Sequence, residues 1–367
     1  MRVKRIVSWL KGEAVLCVAA LCALGTVFLV PPDRAYVDYI DFRVLGLLFS
    51  LMTVVEGFRR CGVFRVLTAA MLRRSKSGRV LGLLLVALPF FSAMLVTNDV
   101  VLLVFVPFTL GLLDEMGCKK STVPLLVLQT VAANLGSMAT PVGNPQNLYL
   151  YSCYELSAGE FFAVVLPPAA LSMPALGIPA LFVLPKALPV FEAEASALAK
   201  GRALAVYGLL FLAALLSVFR LLPWELLCLA VILAAALLDR ELLRRADYAL
   251  LLTFVCFFIV SGNLGRVEAV KTLVQGLMEK NALLTAVLVS QVISNVPAAV
   301  LLSGFTENAA ALLAGTNIGG LGTPIASLAS LITLKLYLKS EGAQPARFLL
   351  VFTLVNIAFL VLLLIAV

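Results

Sequence analysis

Apolar runs of bilayer length, interrupted at a few places by polar or glycine–proline clusters, organise this chain. Residues 80–113 are the most unusual stretch. Two apolar arms flank Thr97, Asn98 and Asp99, and each arm falls short of the roughly 20 apolar residues that a crossing needs. Residues 282–305 repeat the arrangement around Ser294 and Asn295. Such a pattern predicts a re-entrant hairpin, whose turn lipid tolerates only where protein or a water-filled cavity surrounds it. Full spans are predicted near residues 14–30, 42–55, 161–184, 203–219, 224–238, 249–260 and 348–367, with amphipathic stretches at 58–74 and 264–280.

Two further apolar segments, 121–152 and 308–338, are long enough to cross but are interrupted midway. Gly136, Pro141, Gly143 and Pro145 crowd into the first. Proline removes a donor and glycine is a poor helix former, so each segment should cross as two half-helices. Residues 133–142 align on 316–325 without gaps, setting Asn134 on Asn317, Gly136 on Gly319, Thr140 on Thr323 and Pro141 on Pro324. The same register sets Asn144 and Asn147 against Ser327 and Ser330. Element order repeats too. The expectation is an all-α polytopic membrane protein built as an inverted structural repeat: about nine spans, two re-entrant hairpins and two broken helices. Residues 1–190 form the first repeat, 191–221 a linker and connecting span, and 222–367 the second repeat.

Composition agrees with a membrane protein, at 62% hydrophobic and 13% charged residues, where soluble domains carry about 25% charged. The net charge of +8 does not point to nucleic acid, because the basic residues sit in loops beside spans. With the N-terminus inside, only Arg34, Arg43, Arg220, Arg266, Lys271 and Lys280 of the 28 Lys and Arg lie outside. The positive-inside rule then predicts a multi-pass cytoplasmic (inner) membrane protein with the C-terminus outside, its halves oppositely oriented. Inverted repeats with broken helices meeting at mid-membrane are a transporter signature. The first apolar run reads as a retained span, having no small-residue cleavage site. The 7 Cys are scattered without CxxC spacing and there is no His, so neither a metal cluster nor His catalysis is expected, and no GxxxxGK[ST] loop supports an ATP-driven pump. An enzyme would need a nucleophile–base pair at depth, and the chain offers none.

Thr97, Asn98, Asp99, Ser294 and Asn295, with Asn147 and Ser330, are the candidate substrate-binding residues. Hydroxyls, amide NH2 groups and the N-terminal ends of half-helices all favour anionic oxygens. Carbonyls freed at the breaks offer the opposite chemistry. The candidate cation site comprises Thr97, Asn98, Asn134, Gly136, Thr140, Gly143, Asn144, Asn295, Asn317, Gly319, Thr323 and Ser327, with Na+ or H+ as coupling ion and no other cofactor. Plainer readings exist for each signal. A lone membrane asparagine bonds neighbouring helices, Gly136 and Gly319 allow close packing, Thr-Pro pairs mark kinks, and Asp99 caps a half-helix.

The stretches TNDVVLLVFVPF, ANLGSMATPVGNPQNLYLY, SNVPAAVLL and TNIGGLGTPIASLASLI resemble the ion-transporter superfamily in its citrate-transporter-like branch. That branch includes divalent anion:sodium symporters, arsenite permeases and sodium:proton antiporters. The likeness is greatest to small bacterial inner-membrane anion permeases. It implies a secondary transporter for a small anion, and a homodimer formed through a scaffold domain. In the symporters a Ser-Asn-Thr triplet at each tip holds carboxylates and Na+. Here the triplets are Thr97-Asn98-Asp99 and Ser294-Asn295-Val296, so the third hydroxyl is missing from both. An acid in that position repels a dianion unless it is protonated or paired, and sodium:proton exchange or arsenite-type efflux through Asp99 is the alternative reading.

Overall fold

The computed structural model describes residues 13–74, 77–186 and 201–367. The basic N-terminus through Lys11 and most of the polar loop between the predicted halves lie outside these residues. Everything regular in the described residues is helical. Helices Ala158–Val183, Gly201–Val218, Tyr248–Gly265 and Pro345–Ala366 are long and apolar enough to cross a membrane.

Helix α1 (Ala14–Val27) leads into a one-turn hook, α2 (Ala35–Asp38), and then α3 (Phe42–Arg60). Asp41 starts α3 by accepting from the Val44 N–H at 2.9 Å. Val44, Leu47, Leu48, Leu51, Val54 and Val55 form its buried stripe. The sequence ended this span at residue 55, but the helix runs another turn, where Arg59 holds Glu56 at 2.6 Å. Gly62, with φ of +79°, separates it from the amphipathic α4 (Val63–Arg74).

The helix–bend–helix units come next and later. The first is α5 (Gly78–Ala93) and α6 (Asn98–Glu115); at 1.5 Å per residue these reach about 24 and 27 Å, short of the ~30 Å hydrocarbon core. The first interrupted segment is α7 (Thr122–Ser137) and α8 (Pro145–Cys153). Asn144 caps α8 by accepting from the Asn147 N–H at 2.9 Å, ahead of Pro145. Both half-helices are buried nearly all round, so this segment is the innermost element. Helix α9 (Ala158–Val183) starts at a capping box between Ser157 and Glu160.

Helices α10 (Gly201–Val218) and α11 (Trp224–Leu238) pack on α3, followed by the short α12 (Glu241–Arg245) and α13 (Tyr248–Gly265). Arg60 ties α3 to Asp239 and Glu241. At the opposite end of α13, Asn263 donates to Tyr36 Oη at 2.7 Å and Thr26 Oγ1 at 3.1 Å, and Arg266 pairs with Asp33 at 2.8 Å, fastening the α1–α2 hook.

Helix α14 (Glu268–Ile293) is two helices meeting at Asn281, whose backbone is non-helical (φ −162°, ψ 92°) and whose Oδ1 recaps the chain by accepting from Leu284 N–H at 2.9 Å, so the amphipathic stretch and the first arm of the second unit part where the sequence predicts. Its arm from Ala282 to Ile293 reaches about 18 Å and the returning α15 (Asn295–Ser303) about 14 Å. The second interrupted segment is α16 (Ala309–Gly319) and α17 (Leu328–Leu338), and α18 (Pro345–Ala366) closes the chain. Helix α18 buries Phe348, Phe352, Asn356, Phe359 and Leu363 along one stripe and exposes Leu350, Leu354 and Ile365 on the other, as a lipid-facing helix should.

Candidate functional site

Each bend is pinned to the break of the interrupted segment that follows it in the chain. The Asn98 N–H donates to Gly143 O at 3.2 Å, and the Asn295 N–H donates to Ala326 O at 2.9 Å. Thr140 Oγ1 donates to Met94 O at 2.5 Å, and Thr323 Oγ1 to Gln291 O at 3.1 Å. Gly143 and Ala326, and Thr140 and Thr323, are the positions that the gapless register pairs. Close approach requires glycine here: a Cβ on Gly136 would sit 2.0 Å from Phe90 O in the arm of the first unit.

The two breaks also bond to each other. Asn134 Oδ1 accepts from Ser327 Oγ at 3.1 Å, and its Nδ2 donates to Ser330 Oγ at 3.4 Å. Asn317 Oδ1 accepts from Asn144 Nδ2 at 3.2 Å, and its Nδ2 donates to Asn147 Oδ1 at 2.7 Å. The Asn98 side chain joins the network by donating to Asn134 Oδ1 at 3.0 Å. All of these side chains are buried. Such a network is stable at depth only because its members satisfy one another.

The breaks are not open carbonyl rings. Asn147 Nδ2 donates to Met138 O and Thr140 O, each at 3.0 Å, and lies 3.5 Å from Ser137 O. At the second break Gln291 Nε2 donates to Gly319 O at 2.8 Å and Leu321 O at 3.0 Å. The first half-helix N–H groups are partly taken as well: Asp99 N–H bonds Asn98 Oδ1 at 3.0 Å.

Beside the network lies a cavity of about 560 Å³. Thr97, Asp99, Val100 and Leu103 of the first unit border it, as do Val296 and Pro297 of the second and Asn144 and Pro145 of the first break. Thr97 is the N-cap of α6 without a side-chain cap bond. The Asp99 carboxylate has no hydrogen-bond or ion-pair partner among the described residues, so it is not spent on capping α6. Ser294 is held at φ of +75°, a region nearly reserved for glycine, and its hydroxyl reaches Ala326 O at 3.4 Å. Glu13, Glu56, Arg59, Arg245, Asp247 and Lys335 line the cavity's charged end. Burial, and then Asp247, push the Glu13 carboxyl upward, with Lys335 offsetting part of it.

Asn134, Asn144, Asn147, Asn317, Ser327, Ser330 and Asn98 therefore meet in one cluster. Gly136, Gly143 and Gly319 shape its backbone, Asn295 abuts it through Ala326, and Thr323 is exposed at its edge. Sequence reasoning missed Ser137, whose hydroxyl accepts from Asn144 Nδ2 at 3.2 Å, and Gln291. The available signal for Gln291 was an amide side chain three residues before Ser294, in an arm whose only other polar residues are Thr285 and Ser290.

The family model described as CitMHS, citrate transporter, matches residues 6–316. The chain belongs to the citrate transporter family. The uncharacterised transporter MJ0456 of Methanocaldococcus jannaschii is 32% identical over 327 residues, covering 88% of each chain. The inner membrane protein YbiR of Escherichia coli is 32% identical over 336 residues, covering 89% of this chain and 88% of that protein. The silicon efflux transporter LSI3 of Oryza sativa subsp. japonica is 36% identical over 135 residues, covering 37% of this chain and 27% of that protein. This family member is therefore a membrane transporter and not an enzyme.

Proposed function

We propose that the chain is a secondary transporter that moves a small anion, a carboxylate or an inorganic oxyanion, across the cytoplasmic membrane by alternating access, coupled to a cation. One observation carries this: residues from both bends and from the first break border a single cavity, against a buried network that joins both breaks. In this reading the bends are the tips of two re-entrant hairpins, 80–113 and 282–305. The chain is then two inverted repeats, 1–190 and 222–367, with nine spans in all and 191–221 as connector. The matched bonds support it. Asn134 reaches Ser327 and Ser330, while Asn317 reaches Asn144 and Asn147, as a two-fold relation between halves requires. Thr97, Asn98, Ser294 and Asn295 provide donors for the solute, with Asn147 and Ser330 behind them. The cavity's charged end gathers helix ends from the side that the positive-inside rule assigns to the cytoplasm, so in this reading the conformation opens to the cytoplasm.

The test is a thermal-shift screen of the purified protein against carboxylates and inorganic oxyanions. A ligand that binds only the folded state raises its apparent stability by mass action. Asn98→Ala and Asn295→Ala should abolish the response to an active anion; if both retain it, the tips do not bind solute. The unpartnered Asp99 carboxylate favours a second reading, cation:proton exchange. Proteoliposomes that move protons on a cation pulse without any anion flux, and lose this in Asp99→Asn, would select it.

A further inference from the structure

A broken membrane helix holds sodium through carbonyl oxygens that have lost their helical donors. Both breaks of this chain have such carbonyls, and both have a neutral donor directed into them. At the second break, Gln291 Nε2 faces two carbonyl oxygens of the break, Gly319 at 2.8 Å and Leu321 at 3.0 Å, and also Val287 O of its own helix at 3.1 Å. Its orientation is determined, because Oε1 accepts from the Thr323 backbone N–H at 2.9 Å, which can only donate. At the first break, Asn147 Nδ2 faces Met138 O, Thr140 O and Ser137 O, while Oδ1 accepts from Asn317. Asn147 is fully buried. The second loop is also shaped around its amide. Gly322 has φ of +106°, and a Cβ there would lie 2.2 Å from Gln291 Oε1.

We infer that the amides of Gln291 and Asn147 occupy the positions at which the two breaks would otherwise hold sodium, so that transport by this chain proceeds without sodium. An NH2 group supplies the positive charge density that the carbonyls need and, unlike an ion, never leaves. Sodium would have to displace a side chain whose NH2 then has no partner at depth, and an unmade buried bond costs more than a made one returns. The donor set therefore does not fit the ion. The two plugs come from different elements, α14 at one break and α8 at the other, so the halves close their carbonyl rings by separate means.

This inference rests on the transporter reading, and the experiment separates the two. The melting temperature of the purified full-length protein is measured in NaCl, KCl and choline chloride at equal ionic strength. The wild type should melt at the same temperature in all three. Gln291→Glu keeps an acceptor for Thr323 N–H but turns a second carboxylate oxygen onto Gly319 O and Leu321 O. It should melt lower in KCl and recover by a few degrees in NaCl; Asn147→Asp should do the same at the other break if Gln291→Glu does not fold. A wild-type protein stabilised by NaCl over KCl, or folded carboxylate variants indifferent to sodium, would overturn the inference. The anion screen is run in KCl. Its silence, beside a sodium-indifferent wild type, would remove the anion-transport reading and leave the plugs standing.

Discussion

Asn317→Ala probes the joint between the two breaks. Asn317 is 5% exposed. Its Nδ2 donates to Asn147 Oδ1 at 2.7 Å and Leu313 O at 2.9 Å, and its Oδ1 accepts from Asn144 Nδ2 at 3.2 Å. Truncation leaves Asn147 Oδ1 without that donor. Asn144 keeps Ser137 as a second acceptor, and Leu313 keeps its helical bond. One orphaned buried acceptor costs about 1–3 kcal/mol and one lost bond about 0.5–1.5 kcal/mol. The sum is about 1.5–4.5 kcal/mol, a large share of the ~5–15 kcal/mol that holds a typical fold. Reversible unfolding in detergent micelles reads the difference, and Asn317→Asp refines it by keeping the acceptor for Asn144 while losing the donor to Asn147. The double variant with Asn147→Ala should be less destabilised than the sum of the singles, because they share one bond. An Asn317→Ala protein within about 0.5 kcal/mol of wild type, the range of ordinary surface substitutions, would refute the idea that this bond holds the breaks together.

Gly136→Ala should destabilise by about 1–3 kcal/mol, the usual cost of overpacking, because the added Cβ meets Phe90 O; Gly208→Ala, with open space around it, is the control and should be neutral or stabilising in the same melts. At the second tip, Ser294→Val should lose about 1–3 kcal/mol to strain at positive φ, whereas Ser294→Gly should melt close to wild type. Glu13 has a folded-state pKa raised above 4.5, so the folded form binds its proton more tightly than the unfolded one and stability falls as pH rises past that value. Glu13→Gln should flatten this part of the pH–melting profile, and an unchanged profile would count against burial at the cavity's charged end.

Much of the helical layout was legible because period and length carry it: apolar stripes, Ser, Asp and Asn caps, and proline–glycine interruptions are local properties. What was not legible came from contacts across the chain. Helix α3 overran its apolar stretch because Glu56 and Arg59 pair along its last turn, which makes a polar turn cheap to keep helical. The boundary between the amphipathic stretch at 264–280 and the following arm is by contrast local: it falls at Asn281, whose backbone leaves the helical region and whose side chain recaps the arm at Leu284 N–H.

The site divides the same way, and the division has a chemical meaning. Asn134, Gly136, Thr140 and their counterparts stood out because register and composition repeat. The expectation of open carbonyls at the breaks came from counting backbone donors along the local chain, and that count is incomplete at depth. Every buried carbonyl asks for a partner, and the partner here comes from afar: Gln291 reaches Gly319 and Leu321 from the preceding arm, and Asn147 reaches back over its own break. Unwinding a membrane helix creates a demand for positive charge density without specifying what meets it. An ion that comes and goes couples transport to its gradient; on the inference above, a side-chain amide meets the same demand in place of sodium and leaves coupling to another cation such as a proton. Whether a broken helix can hold sodium then depends on where an amide falls: Asn147 lies within the motif of its own break, whereas Gln291 stands three residues before the SNVPAAVLL motif and is not marked by it.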